Sequence, residues 1–573
     1  MSDHRTIQAP ASDTTTGDTT RDYLRTLTRA RAASGEGRWP AAAALWNRVV
    51  ERNPVSGNHW YWLAEARFAT GDYGAAATAY RRAVAIGVWD RPAGLVLPAE
   101  LRLRIARCHA ELGDPAAARA ALTEAVDAGL RDLDAVWTDE HLSSLRSEEW
   151  FVERFGPPDV SAASRVDGWR GDLRLLAREA ARRSYQFGSR IDRDRFDAAV
   201  DRIDQAIPQL TDAQILVELK KLVRLLDDGH AYVLPRQDDT ERRRALPVQL
   251  FQFAEGLYVT ATAPEHGRLL GAQVLAFDEC PVAELAAALD PLISRDNAQG
   301  PAAMAPKLMR QAVILHALGV LTDPGRATLT VRLPDGSTDR ATLPADAQFS
   351  YLVEGDPCPP GWRFLPHELP GDLPLYLRNP AAPYWYDLLP EHRLAYVQWN
   401  AVGTAALEPV EQFWDRLLGA VEDRGLDRLV IDLRRNGGGN TFLTVPVLHQ
   451  LIGHRRLNRR GHLFVIIGRH TFSAAQNFTT ALDRHTNAIF VGEPTGSRPN
   501  FVGETIPFEL PYSKLQANVS DLYWQSSWPF DHRSWIAPDL YAPPSFEAFA
   551  ANRDVAMEAV LAATSGHEHL PGW

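Results

Sequence analysis

From about residue 21 the apolar positions fall at helical spacing and then repeat. Gly37-Arg38-Trp39-Pro40-Ala41-Ala42-Ala43 is echoed 34 residues later by Gly71-Asp72-Tyr73-Gly74-Ala75-Ala76-Ala77, and after a 42-residue step by Gly113-Asp114-Pro115-Ala116-Ala117-Ala118. The longer step holds an insert around residues 88–98. Trp60, Leu63, Ala64, Phe68 and Tyr80 sit where one helix would pack on the next. The pattern predicts helical repeats over 21–136; a plain alanine-rich bundle is the alternative. Residues 1–20 are rich in Ser, Thr and Asp and are expected to be disordered. Residues 137–160, with Trp150 and Phe151, read as a cap and linker.

Helical spacing returns in a domain over 161–240. Its last helix runs through Leu219-Lys220-Lys221-Leu222-Val223-Arg224-Leu225-Leu226, and Asp227-Asp228-Gly229-His230 closes it. Gly229 is expected to supply the stop, with a strand beginning at Ala231. Residues 241–345 alternate or run apolar and predict a β-rich domain, with a helix over 301–318 and a strand over 327–333. Residues 344–390 are proline-rich and read as a long loop within the last domain, 346–573. A strand over 393–400 and a helix over 407–424 lead to the central stretch, and a helix over 552–563 ends the fold.

That stretch reads strand, glycine turn, helix, strand, serine. Leu429-Val430-Ile431-Asp432-Leu433 is a buried-strand pattern, followed by Arg434-Arg435-Asn436-Gly437-Gly438-Gly439-Asn440. Glycine lets a backbone turn through positive φ and approach a ligand closely. A second strand, Leu463-Phe464-Val465-Ile466-Ile467, runs into Thr471-Phe472-Ser473-Ala474-Ala475-Gln476. The Ser473 hydroxyl there lies at a strand's carboxyl end, beside helix-start N–H groups. Ser473 and Gln476 also have the spacing of a capping box. A third strand, Ala488-Ile489-Phe490-Val491, is closed by Gly492-Glu493-Pro494-Thr495-Gly496.

Composition narrows the classes. Apolar content of 45% and charged content of 23% are those of a globular protein, and 573 residues exceed one core. A net charge of −11 without a basic run argues against nucleic acid. Three cysteines, Cys108, Cys280 and Cys358, form no disulfide framework or zinc pattern and fit a reducing compartment. No apolar run reaches membrane length and no secretory leader is visible, so a cytoplasmic protein with no membrane partner is expected. No cofactor or metal motif emerges: the glycine turn lacks the ending of a phosphate loop, and His567-Glu568-His569 is too short and too terminal to weigh.

Two resemblances follow from these residues. The 34-residue period with Gly-Asp-Tyr resembles tetratricopeptide repeats, which implies a concave face for a protein partner. The runs Asp432-Leu433-Arg434-Arg435-Asn436-Gly437-Gly438-Gly439, Thr471-Phe472-Ser473-Ala474-Ala475 and Gly492-Glu493-Pro494-Thr495-Gly496 resemble the S41 serine peptidases, over roughly residues 165–562. That family includes tail-specific and tricorn-type proteases. The resemblance implies an α/β core of the ClpP/crotonase kind, and 270–285 is similar to a PDZ strand and helix, though a plain β-rich insert fits nearly as well. It implies hydrolysis of a peptide or protein substrate through an acyl-enzyme on Ser473.

The tail-specific lysine is missing: Arg498 stands at its place and cannot accept a proton. Lys514 lies in no such motif. Histidine suits the task. Asp228-Gly229-His230 resembles the tricorn-type branch, in which His230 would be the base; His470 competes. The same branch implies a carboxylate at Asp531, with Glu493, Glu504 and Asp228 as rivals and an ion pair to Arg533 as the plainer role. The amides of Gly438 and Ala474 would bind the oxyanion. A catalytically silent peptide-binding or ligand-binding scaffold is the alternative, since a retinoid-binding branch shares the fold.

Overall fold

The computed structural model describes residues 14–90, 94–130, 132–156, 164–187, 190–348, 357–403, 408–505 and 507–565. The chain divides into two compact units, residues 1–159 and 160–573.

The first unit is a stack of antiparallel helix pairs: Thr14–Gly35 with Trp39–Arg52, Gly57–Ala69 with Tyr73–Ile86, and Pro98–Glu111 with Pro115–Asp127. Each repeat turn supplies its own helix start. Asp72 accepts from the Ala75 amide, and Asp114 from the Ala117 amide. Ala64, Ala76, Ala83, Ala106 and Ala118 are fully buried, so small side chains set the close helix spacing. The insert between the second and third pairs is a β-ribbon, Val88–Asp90 with Gly94–Val96. The first helix already begins at Thr14, so disorder does not extend over 14–20; residues 1–13 lie outside the described residues. The cap consists of Leu133–Thr138, a 3-10 turn Glu140–Ser147 and Glu149–Phe155, with Phe151 at its centre.

In the second unit three helices, Arg165–Arg183, Arg193–Ala206 and Asp212–Arg224, share one apolar core with a β-rich sheet. That sheet is antiparallel, in the order Thr338–Pro344, Arg326–Arg332, Gln273–Phe277, Gly256–Thr262, Arg363–Phe364. The helix expected over 301–318 is two, Gln299–Leu308 and Ala312–Ala317. The proline-rich stretch carries short helices Leu365–Glu368 and Leu375–Arg378 and ends in a strand; residues 349–356 lie outside the described residues.

The last domain is built on a six-stranded sheet: β1 Tyr384–Leu389, β2 Leu394–Trp399, β3 Arg428–Asp432, β4 Leu463–Ile467, β5 Ile489–Gly492 and β6 Leu540–Tyr541, in that spatial order. Only β1 is antiparallel to its neighbour. β2 and β4 are buried at every position, as a parallel sheet covered on both faces requires. One face packs against helices Val410–Asp423 and Ala474–His485, the other against Val555–Ser565. Arg434, just after β3, fastens that last helix: its guanidinium donates to both oxygens of Asp554 at 2.8 and 2.9 Å and to buried Asp432 at 3.0 Å.

Lys220 lies buried on the Asp212–Arg224 helix, and burial pushes its ammonium down from 10.5 to about 7. The unfolded chain therefore holds this proton more tightly than the native one. The resulting destabilisation is fully present below about pH 7 and is relieved as pH rises toward the ordinary lysine range. Lys220→Met is expected to raise stability by about 1–4 kcal/mol at pH 7. Thermal melts of both proteins should show that gap closing by pH 10.

Candidate active site

The site forms where the loops after β3 and β4 meet the turn that closes the Asp212–Arg224 helix. Asn436 builds the first loop. Its side-chain amide donates to the Trp399 carbonyl at 2.9 Å, and its own carbonyl accepts from the Phe472 amide at 3.1 Å. Gly438, at φ +111°, lies flat against the serine turn. A Cβ there would stand 2.6 Å from Ser473 Cβ and 2.9 Å from the Ala474 nitrogen. The glycine is required by contact and by conformation together. Its amide, expected to face an oxyanion, instead donates to Asn436 Oδ1 at 2.9 Å.

Ser473 follows β4 and precedes helix Ala474–His485 with φ 55° and ψ −123°. A β-carbon residue in that region costs about 1–3 kcal/mol and persists only when its surroundings impose it. Here Thr471 imposes it: its hydroxyl donates to the Leu433 carbonyl at 2.9 Å and accepts from the Gly468 amide at 3.0 Å. The capping box does not form. The Ser473 hydroxyl caps no backbone N–H, and Gln476 turns inward to donate to Thr480. The Ala474 amide, in the first helical turn, has no acceptor within its helix.

His230 comes from more than 200 residues away but sits beside this turn. Its ring lies 4.5 Å from the ring of Phe472 and stacks on Phe501 at 5.6 Å. The strand after it, Tyr232–Leu234, pairs antiparallel with Gln516–Asn518, which stitches the helical domain to the segment beyond β5. The turn is not stopped by Gly229. The left-handed residue is Asp227, at φ 50°. Gly229 is needed for close approach: a Cβ would stand 2.6 Å from Asp296 Oδ1 and 3.0 Å from Phe472 Cζ.

Two buried carboxylates hold the turn. Asp228 accepts from the His230 amide at 2.8 Å and from the Ser520 amide at 3.2 Å. Asp296 accepts from the Gly229 amide at 2.8 Å. Burial pushes each up to about 6; the charge of His230 works against it at Asp228, and Ser497 with the Gly229 amide works against it at Asp296. At His230 burial pulls the imidazole below its ordinary value, opposed by Asp228, by Glu504 and by a backbone contact at Val502. The residue is half-buried, yet both ring nitrogens are shut off from solvent and neither makes a hydrogen bond. The His230 ring thus packs on Phe472, the residue before Ser473, with no hydrogen bond to the Ser473 hydroxyl.

Glu504 stays near, its charge acting on the His230 ring after that of Asp228, but the other candidates are engaged elsewhere. Asp531 is held well below the usual carboxylate range by hydrogen bonds from Arg533 and from the Ser527 hydroxyl. Arg533 also binds Asp483, in the last turn of the helix that Ser473 starts. That is roughly 15 Å along the helix axis from Ser473. Asp531 thus makes the ion pair with Arg533 that its sequence neighbour allows. Glu493 is clamped by Arg469 at 2.8 and 2.7 Å. His470 lines a cavity of about 230 Å³ with Arg434 and Glu493, which Ser473 does not enter. Arg498 donates to the Asp296 backbone carbonyl at 2.6 Å, and Lys514 pairs with Glu509 at 3.2 Å. Asp296 carried no sequence signal, since nothing in Arg295-Asp296-Asn297 marks a site.

Among the described residues no helix is long and apolar enough to cross a membrane. Residues 27–87 match the tetratricopeptide repeat family. No curated protein matches the sequence. Among solved structures the chain is similar to mature CPAF complexed with lactacystin, at 11% identity and a TM-score of 0.50, over 70% of this chain and 98% of that one. It also aligns with the photosystem II D1 C-terminal processing protease, at 14% identity and a TM-score of 0.34, over 70% and 98%. A putative S41 protease from Bacteroides fragilis NCTC 9343 aligns at 13% identity and a TM-score of 0.34, over 69% and 98%. At such identities the likeness is one of fold, and the first of the three carries it. One chain thus joins a tetratricopeptide repeat to a fold similar to that of mature CPAF.

Proposed function

We propose that the protein is a serine peptidase that cleaves peptide bonds through an acyl-enzyme on Ser473. The observation that carries this reading is the Ser473 backbone, held at φ 55° in a strand-to-helix turn with its hydroxyl left uncapped. Strained serines at such turns present the hydroxyl outward for attack. The Ser473 oxygen attacks the carbonyl carbon as His230 takes its proton. His230 returns that proton to the leaving amine, and water then releases the acyl group by the same route. The Ala474 amide binds the oxyanion, joined by the Gly438 amide once it turns from Asn436 Oδ1. Asp228, not Asp531, stabilises the imidazolium, since its carboxylate acts directly on the His230 ring. The repeats supply the face for a protein partner or substrate.

A fluorophosphonate probe tests the reading. Wild-type protein should label once, at the peptide bearing Ser473. A scaffold without catalysis is the second reading, favoured by the unmade bond between His230 and Ser473; a folded chain that does not label would establish it. The carboxylate assignment has its own test. Asp228→Asn should lower kcat/KM by roughly 10²–10⁴. Asp531→Asn should stay within about twofold in kcat/KM, since its contacts are with Arg533 and Ser527 and not with the reacting groups.

A further inference from the structure

Asp228 and Asp296 present an electrostatic problem that the protein alone leaves unsolved. They are 3% and 4% exposed, and no Lys or Arg side chain forms an ion pair with either carboxylate among the described residues. Arg498 reaches only the backbone carbonyl of Asp296 and the side chain of Asp227. Taking a charge out of water costs several kcal/mol unless a counter-charge accompanies it. One oxygen from each of these carboxylates and one ring nitrogen of His230 lie within 4.8 Å of one another. Asp296 Oδ2 and both His230 nitrogens are buried and accept or donate nothing. One buried carboxylate oxygen without a partner, a second carboxylate and one imidazole nitrogen thus lie close together.

We propose that Asp228, Asp296 and His230 bind a divalent transition cation, zinc by preference, and that the bound ion switches the hydrolase off. The second half rests on the reading of His230 as the base. The centre of a triangle with such sides is at most about 2.8 Å from each corner, so small side-chain rotations reach zinc bonds of 2.0–2.2 Å. Two carboxylates neutralise the ion, and a fourth position stays open to water. The imidazole, with the general rise of affinity along the first row, favours zinc over manganese, which the carboxylates alone would suit. The ion takes the imidazole lone pair that would otherwise accept the Ser473 proton. A neutral imidazole has one lone pair, so metal and catalysis compete for it whichever nitrogen carries it.

Untagged full-length protein, stripped with chelator, is titrated with zinc against a chromophoric competitor, and fluorophosphonate labelling is followed in parallel. About one zinc per chain is expected, with labelling slowed at least tenfold at saturation and restored by chelator. Asp296→Asn keeps an oxygen for the Gly229 amide and should melt as the wild type does; Asp228→Asn is its independent partner and should melt lower, since one of two accepted amides loses its acceptor. Each should weaken zinc at least about 100-fold. Binding that survives both substitutions overturns the site. So does a metal-free chain that labels well and takes up no zinc, which leaves the hydrolase standing. A folded chain that binds zinc at these residues but never labels keeps the metal site and removes its inhibitory role along with the hydrolase.

Discussion

Ser473→Ala is expected to abolish fluorophosphonate labelling and to lower peptide turnover by roughly 10⁴–10⁶, with the fold intact. The size follows from the role: without the hydroxyl no acyl-enzyme forms, and only binding and the helix-start amides are left. The substitution also separates chemistry from strain. Alanine at φ 55° keeps the same left-handed backbone as serine, and the Ser473 hydroxyl caps nothing, so no stabilising hydrogen bond is lost. Melting temperature should therefore stay within a degree or two of wild type, by the ordinary scale of substitutions that remove no contact. Quantitative labelling of Ser473→Ala would move the nucleophile to another residue.

His230→Ala is expected to cost turnover on the order of 10⁴. It opens a space between the rings of Phe472 and Phe501 that is the size of the lost imidazole. Added free imidazole should enter it and restore part of the rate, which a purely structural role would not allow. Stability should fall by about 0.5–1.5 kcal/mol for the lost ring contacts. Because burial lowers the His230 pKa, the imidazole stays neutral and able to accept a proton at pH values where an exposed histidine is already charged. The acid limb of kcat/KM should accordingly lie below pH 6.5, the ordinary histidine value. In Asp228→Asn the main carboxylate that raises the ring's pKa is gone, so that limb should move lower still. An acid limb above 6.5 would assign the base elsewhere.

The repeats, the buried parallel strands and the serine turn are legible in the residues because each is a local pattern. A 34-residue period, a β-branched run and a strand ending in glycine or serine all report on neighbours in sequence. The first helix reaches back to Thr14 against the Ser/Thr/Asp content, because composition says nothing of helix contacts made farther on. The helix over 301–318 was joined across a break at 309–311 for a related reason: periodicity does not see a turn whose backbone bonds point outside the helix, as the Arg310 carbonyl does in accepting from the Leu246 amide at 2.8 Å.

The site divides along the same line. Ser473 and Gly438 lie in contact because β3 and β4 pair side by side in the parallel sheet; the sequence alone marks the two strand ends. Which carboxylates lie beside His230 was decided by tertiary structure. Asp531 stands in a motif of the right type, but the Asp483 side chain draws Arg533, and Asp531 with it, to the far end of the helix. Asp228 and Asp296 reach the imidazole because strand pairing at Tyr232–Leu234 and the burial of the 290–298 segment bring distant chain together. Electrostatic partnership depends on distance in space and on exclusion of water, and neither quantity is written in the order of the residues.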